Sequence, residues 1–62
     1  MFIKLTWIDD EDDSERTTWV NTAFVVDFFE YYGSQIYMSY GPDLHVRETP
    51  EELLDLLAGT QK

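Results

Sequence analysis

Cysteine is absent, histidine occurs once, and lysine and arginine together number 4 in a chain of 62 residues. Without cysteine no disulfide framework can form, and the lone His45 cannot assemble a Cys/His metal cluster. The few cations stand against 13 aspartates and glutamates, which leaves a formal net charge of −9. Such a charge argues against direct binding to nucleic acid or to an anionic membrane surface, which carry the same sign, and makes basic proteins the expected partners. No stretch approaches the roughly 20 apolar residues needed to cross a bilayer, and no long apolar run follows Met1, Phe2, Ile3 and Lys4. A soluble, unexported protein of the cytoplasm is the expectation, the host cytoplasm if the origin is viral.

The marks of catalysis are missing too. The chain has no nucleophile motif, no glycine-rich phosphate loop and no convincing carboxylate pair. A chain of 62 residues also leaves little room for a pocket that could bury a substrate. His45 lies between Leu44 and Val46 and is expected on the opposite strand face, with Arg47 and solvent as neighbours, so no groups converge on it for acid-base work. The chain reads as non-enzymatic and without a cofactor.

What the chain does contain is enough to fold. Apolar residues make up 44% and aromatic residues 16%, well above the composition of a disordered acidic tail. Residues 1–62 form a single domain, since this length is near the lower limit for independent folding. Burial and chain entropy nearly cancel at such a size, so a homodimer, or a tight complex with a partner, would supply the missing core.

Residues 2–8 alternate, with Ile3, Leu5 and Trp7 on one face and Lys4 and Thr6 on the other, as a half-buried strand requires. Thr17, Thr18, Trp19 and Val20 open a second strand near 17–21, and the two form a hairpin with an acidic tip. The segment 22–32 carries two signals. Val25 and Val26 favour a strand, while Phe24, Phe28 and Tyr31 or Tyr32 recur at helical spacing. Asn21 or Thr22 as a cap, and Gly33 as a left-handed terminal residue, tip the reading towards a central helix. Strands near 35–40, with Ile36, Met38 and Tyr40 facing one way, and near 44–48 flank the turn Gly41, Pro42, Asp43 as a second hairpin. Thr49, Pro50 and Glu52 spell a helix start, Leu53, Leu54, Leu56 and Leu57 its apolar stripe, and Gly59 its end, before the polar tail Thr60, Gln61 and Lys62. The expected class is α+β: a small antiparallel sheet of two hairpins, a central helix near 22–32 and a C-terminal helix near 50–58.

The acids and the rings are the candidate site. Asp9, Asp10, Glu11, Asp12 and Asp13 are consecutive, and Asp27, Glu30 and Asp43 add to them. Carboxylates at this density can imitate the phosphates of duplex DNA, which presents one charge per roughly 1.7 Å of axis, to the basic groove of a DNA-handling protein. Phe28, Phe29 or Tyr32 would be the apolar anchor. The plainer alternative is that the acids keep the protein soluble and the rings fill its core. A cation at the acidic run is a lesser possibility, because the run lacks the alternating ligands and central glycine of an EF-hand loop. The leucine stripe reads as core packed on the sheet rather than as a partner-binding face.

Ile3, Lys4, Leu5 and Thr6, then Val20 and Asn21, then Ile36, Tyr37 and Met38 with Gly41, and finally the run from Val46 through Thr49, Pro50, Glu51, Glu52 and Leu53 resemble the FlbD-like family of small proteins, some associated with flagella and swarming. The likeness spans nearly the whole chain and implies strands, a turn and a helix cap; a structural or regulatory adaptor is the function it suggests. The acidic insert and the central segment Asp27, Phe28, Phe29, Glu30, Tyr31, Tyr32 depart from that pattern. In its opening strand, acidic turn, second strand and the positions of Asp27, Phe28, Tyr32 and Gly33, the chain is also similar to the small dimeric phage inhibitors of uracil-DNA glycosylase. That similarity implies a DNA mimic in which Phe28 and Tyr32 help form an aromatic pocket, with Glu30 and neighbouring acids at its rim. The function expected first is therefore phage-type inhibition at the basic groove of a host DNA-handling protein, with the adaptor as the alternative.

Overall fold

A computed structural model describes residues 1–59. The chain forms β1 (Phe2–Ile8), β2 (Glu15–Asn21), a single 3-10 turn (Thr22–Phe24), β3 (Val25–Glu30), β4 (Ser34–Met38), β5 (Leu44–Val46) and one helix, α1 (Pro50–Leu57). All strand pairs are antiparallel and the sheet order is β2-β1-β5-β4-β3. The α+β class is as the sequence indicates; the tail at residues 60–62 lies outside the described part.

The first hairpin runs in register from Phe2 opposite Asn21 to Ile8 opposite Glu15. Alternation buries Ile3 and Leu5 of β1 and Val20 of β2 on one face. The second strand begins two residues before the expected 17, because Glu15 and Arg16 continue the ladder opposite Ile8 and Trp7. The Arg16 guanidinium carbon lies 5.7 Å from the centre of the Trp7 ring, and Glu15 pairs with Arg47 at 2.6 Å.

The central segment is where the expected helix fails. Asn21 does act as a cap, accepting the Ala23 N–H at 3.1 Å, but it caps only the three-residue turn. From Val25 the chain is strand, with a register shift between Val25 and Asp27 against β4. A bulge adds one residue to its strand, so positions that face the core fall three apart instead of two. Val25 and Phe28 are such a pair, both packed against the core. A bulged strand thus carries the spacing of a helical face.

The 3-10 turn also shapes the sheet. In a flat sheet of this order β2 and β3 would lie about 19 Å apart, four spacings of about 4.8 Å. A 3-10 turn rises only about 2 Å per residue. Connected by the three residues Thr22–Phe24, the two edges must approach, and the sheet curls towards an open barrel. Hydrogen bonds from Thr22 N–H to the Met1 carbonyl and from Ser39 N–H to the Phe24 carbonyl fasten the turn at either side.

The core is Ile3, Leu5, Val20, Ile36 and Val46 from the sheet with Leu53 from α1. In the second hairpin the strands are shorter than the expected 35–40 and 44–48: pairing runs from Ser34 opposite Val46 to Ile36 opposite Leu44. Ile36 is buried and Met38 half-buried, but Tyr40 falls beyond β4 and is exposed. The Glu48 carboxylate takes over where β5 stops, accepting the Thr6 backbone N–H at 3.0 and 3.2 Å and the Thr6 hydroxyl at 3.1 Å.

Helix α1 starts where its cap predicts. The Thr49 hydroxyl accepts the Glu52 N–H at 3.2 Å and the Glu52 carboxylate accepts the Thr49 N–H at 2.8 Å, a capping box worth about 1 kcal/mol. Its stripe is narrower than the four leucines suggest. Leu53 is buried and Leu56 and Leu57 pack on the core at i+3 and i+4, whereas Leu54 is turned outward and 58% exposed.

Candidate functional site

Two turns and one histidine build the most distinctive feature of the molecule. The acidic turn between β1 and β2 is held by its own polar groups. Asp9 N–H bonds to the Ser14 carbonyl at 2.9 Å, and Asp13 N–H to the Asp9 carbonyl at 2.7 Å. The side chains of Asp9 and Asp12 accept the backbone N–H groups of Glu11 and Ser14, each at 2.9 Å, as short acids do in turns. Asp10, Glu11, Asp12 and Asp13 are exposed, while Asp9 is half-buried. The Asp12 carboxyl is held below its usual pKa by the Ser14 N–H, then the Ser14 hydroxyl, with Arg16 adding attraction.

The second turn, Tyr31, Tyr32 and Gly33, joins β3 to β4. Tyr32 has φ 46° and Gly33 φ 107°. Glycine is needed at position 33 on two grounds. Its φ is one that L-residues rarely adopt, and a Cβ there would collide with the Val46 carbonyl oxygen and lie 2.9 Å from that of Arg47. Sequence reasoning anticipates a left-handed Gly33, but as the end of a helix rather than the closing residue of a hairpin.

His45 of β5 sits between these turns, only 8% exposed. Its Nδ1 is 2.8 Å from Asp10 Oδ1, and its Nε2 is 3.0 Å from the Tyr31 carbonyl oxygen and 3.1 Å from that of Tyr32. Consecutive carbonyls point to opposite sides of an extended chain but to the same side in a helical conformation of either hand, so the left-handed Tyr32 lets both meet one ring nitrogen. The Tyr31 ring lies 5.3 Å from the imidazole at 56° and the Tyr32 ring 5.0 Å from that of Tyr31 at 75°. Burial pushes the imidazole pKa down, but the hydrogen bond and charge of Asp10 and the carbonyls of Tyr32 and Tyr31 outweigh it, and the net shift is upward from 6.5.

The expected solvent-facing His45 is therefore corrected. Simple alternation places it opposite Val46, yet both are buried, because the two turns fold over the outer face of β5. Ile8, Asp10, Asp13, Glu15, Tyr31, Tyr32 and His45 line a cleft of about 600 Å³ there.

Of the residues singled out from sequence, Asp10, Asp13 and Tyr32 meet at this cleft, and Asp9, Glu11 and Asp12 share the turn that forms its acidic wall. Glu30, exposed, ends β3 beside Tyr31. Asp27 and Phe29 run back along β3, Phe29 45% exposed and edge-on to Tyr37 at 5.6 Å. Phe28 packs against the core and does not share the outward position of Tyr32, which is 83% exposed. Sequence reasoning passes over His45, Tyr31 and Glu15 as site residues. A usable signal is the scarcity of cations: in a chain with 13 acids and 4 lysines and arginines, the one histidine has few competitors for a carboxylate.

Chemically the cleft offers ion-pairing, hydrogen bonding and aromatic contact. Both nitrogens of His45 are engaged in hydrogen bonds. Among the described residues no group of three or more His, Cys, Asp or Glu could hold a metal ion, and no helix is long and apolar enough to cross a membrane. Comparison with protein-family models, with curated proteins and with solved structures yields no match.

Proposed function

We propose that this chain is a non-catalytic binding module that docks into the basic, nucleic-acid-binding groove of a DNA-handling protein and blocks it. One observation carries the reading: an ordered acidic turn, residues 9–14, stands next to the exposed rings of Tyr31 and Tyr32, with His45 holding the two together. Charge steers the approach. With a net charge of −9 the chain is drawn to a positively charged groove, and exposed carboxylates replace phosphates there. Tyrosines then supply rigid, amphipathic contact area of the kind that dominates binding energy. Fixing the acids in hydrogen-bonded turns before binding lowers the ordering cost that a floppy acidic tail would bear.

Uracil-DNA glycosylase is the first partner to try, because the acidic turn and the placing of Asp27, Phe28, Tyr32 and Gly33 in the sequence suggest its small acidic inhibitors. The test compares the rate of association of the wild type with that of a variant carrying Glu11→Gln, Asp12→Asn and Asp13→Asn, by stopped-flow at low salt. Long-range attraction predicts association at least about tenfold slower for the variant, with a smaller change in dissociation. Equal association rates would remove the electrostatic basis of the proposal.

A further inference from the structure

We propose that His45 is a proton-operated latch: as the doubly protonated imidazolium it ties the acidic turn to the tyrosine turn, and loss of its proton releases the acidic turn. The geometry demands two donors. Nδ1 faces a carboxylate oxygen of Asp10 at 2.8 Å and Nε2 faces two carbonyl oxygens at 3.0 and 3.1 Å, and all of these groups accept. A neutral imidazole has a single N–H, so one ring nitrogen would turn a lone pair towards oxygen at hydrogen-bond distance.

The side that lets go is fixed by what holds each turn. Gly33 is wedged against the Val46 and Arg47 carbonyls, and Ser34, which follows it, pairs with Val46, so the tyrosine turn is anchored to β5 by main chain. The neutral ring therefore keeps its Nε2 proton for the Tyr31 and Tyr32 carbonyls. Asp10 is attached to the latch by one side chain that is itself 73% exposed, and water can replace its bond. On deprotonation Asp10 swings into solvent and the cleft widens.

The groups facing His45 all bear on this equilibrium. The β1–β2 turn brings Asp10 and Asp13 and β2 brings Glu15, whose negative charges favour the cation; Glu15 is itself paired with Arg47, the cation that follows β5. The β3–β4 turn brings the Tyr31 and Tyr32 rings and carbonyls, β1 brings the neutral Ile8, and β4 brings the neutral Gln35 as cross-strand partner.

The latch holds whichever partner the protein binds, and its test needs none. Long-range proton–nitrogen NMR of the histidine ring, followed from roughly pH 5 to 9, reads the number of N–H groups directly. Two protonated nitrogens are expected below a midpoint above 6.5, with the backbone amides of residues 10–13 shifting at the same midpoint. In Asp10→Asn the midpoint should move down towards 6.5, and in His45→Gln the shared shift of the turn amides should vanish. A ring with one N–H at pH 6.5, or turn amides that keep their wild-type titration in both variants, would overturn the latch. Should His45→Gln fail to fold, Asp10→Asn, altered only at an exposed side chain, decides alone.

Discussion

His45 is the residue whose titration bears on stability near neutral pH. Its pKa is raised above 6.5 in the folded chain, so the stability it contributes is complete below 6.5 and is lost as the pH rises through the raised midpoint. Urea denaturation should accordingly show the wild type losing stability between roughly pH 6 and pH 9, with a slope of at most about 1.4 kcal/mol per pH unit for this one proton. The His45→Gln protein should be flat across the same interval. A wild-type stability that rose with pH would mean the ring is buried neutral. This residue was illegible in the sequence for a definite reason: the alternation of Leu44, His45 and Val46 tells which face of β5 a side chain takes, but not that residues 9–14 and 31–33, both distant in sequence, cover that face.

Secondary-structure elements were legible to the degree that their causes are local. Thr49, Pro50 and Glu52 settle the start of α1 among themselves, and the alternation of Ile3 and Leu5 settles β1. The central segment is set by its partner instead. Whether Val25 and Phe28 lie three apart on a helix or across a bulge depends on the register with β4, which no local pattern contains. The β3–β4 hairpin that results is closed by Gly33, and Gly33→Ala should be severe. Left-handed strain and collision with the Val46 carbonyl together predict a loss on the order of 2–3 kcal/mol, read as a fall in the denaturation midpoint. A loss within about 0.5 kcal/mol, the range of ordinary surface substitutions, would show that the turn can rearrange at little cost.

For the whole molecule, charge and shape divide the work. Among the described residues, five strands and one helix bury a core of only six hydrophobic side chains, so many rings are left at the surface: Phe24 and Tyr40 as one pair with centroids 5.9 Å apart, Phe29 and Tyr37 as another, Tyr31 and Tyr32 at the cleft. That rings are plentiful for so short a chain was legible from composition. Which rings meet the acids was not, because the answer depends on the curl of the sheet and on the two turns closing over β5. Phe28, adjacent to Phe29 in the chain, faces the core, while Tyr32 reaches solvent beside Asp10 and Asp13. An adaptor whose acids serve only solubility would tolerate changes at Tyr32 and at the acidic turn alike.

Displacement of a labelled DNA duplex from uracil-DNA glycosylase, measured as salt is raised from roughly 50 to 200 mM, tests the docking face most directly. Displacement at low salt that weakens at least about tenfold over this range, and that falls further with Tyr32→Ala, is the predicted result. Failure to displace the duplex at low salt, or displacement indifferent to both salt and Tyr32→Ala, would contradict it.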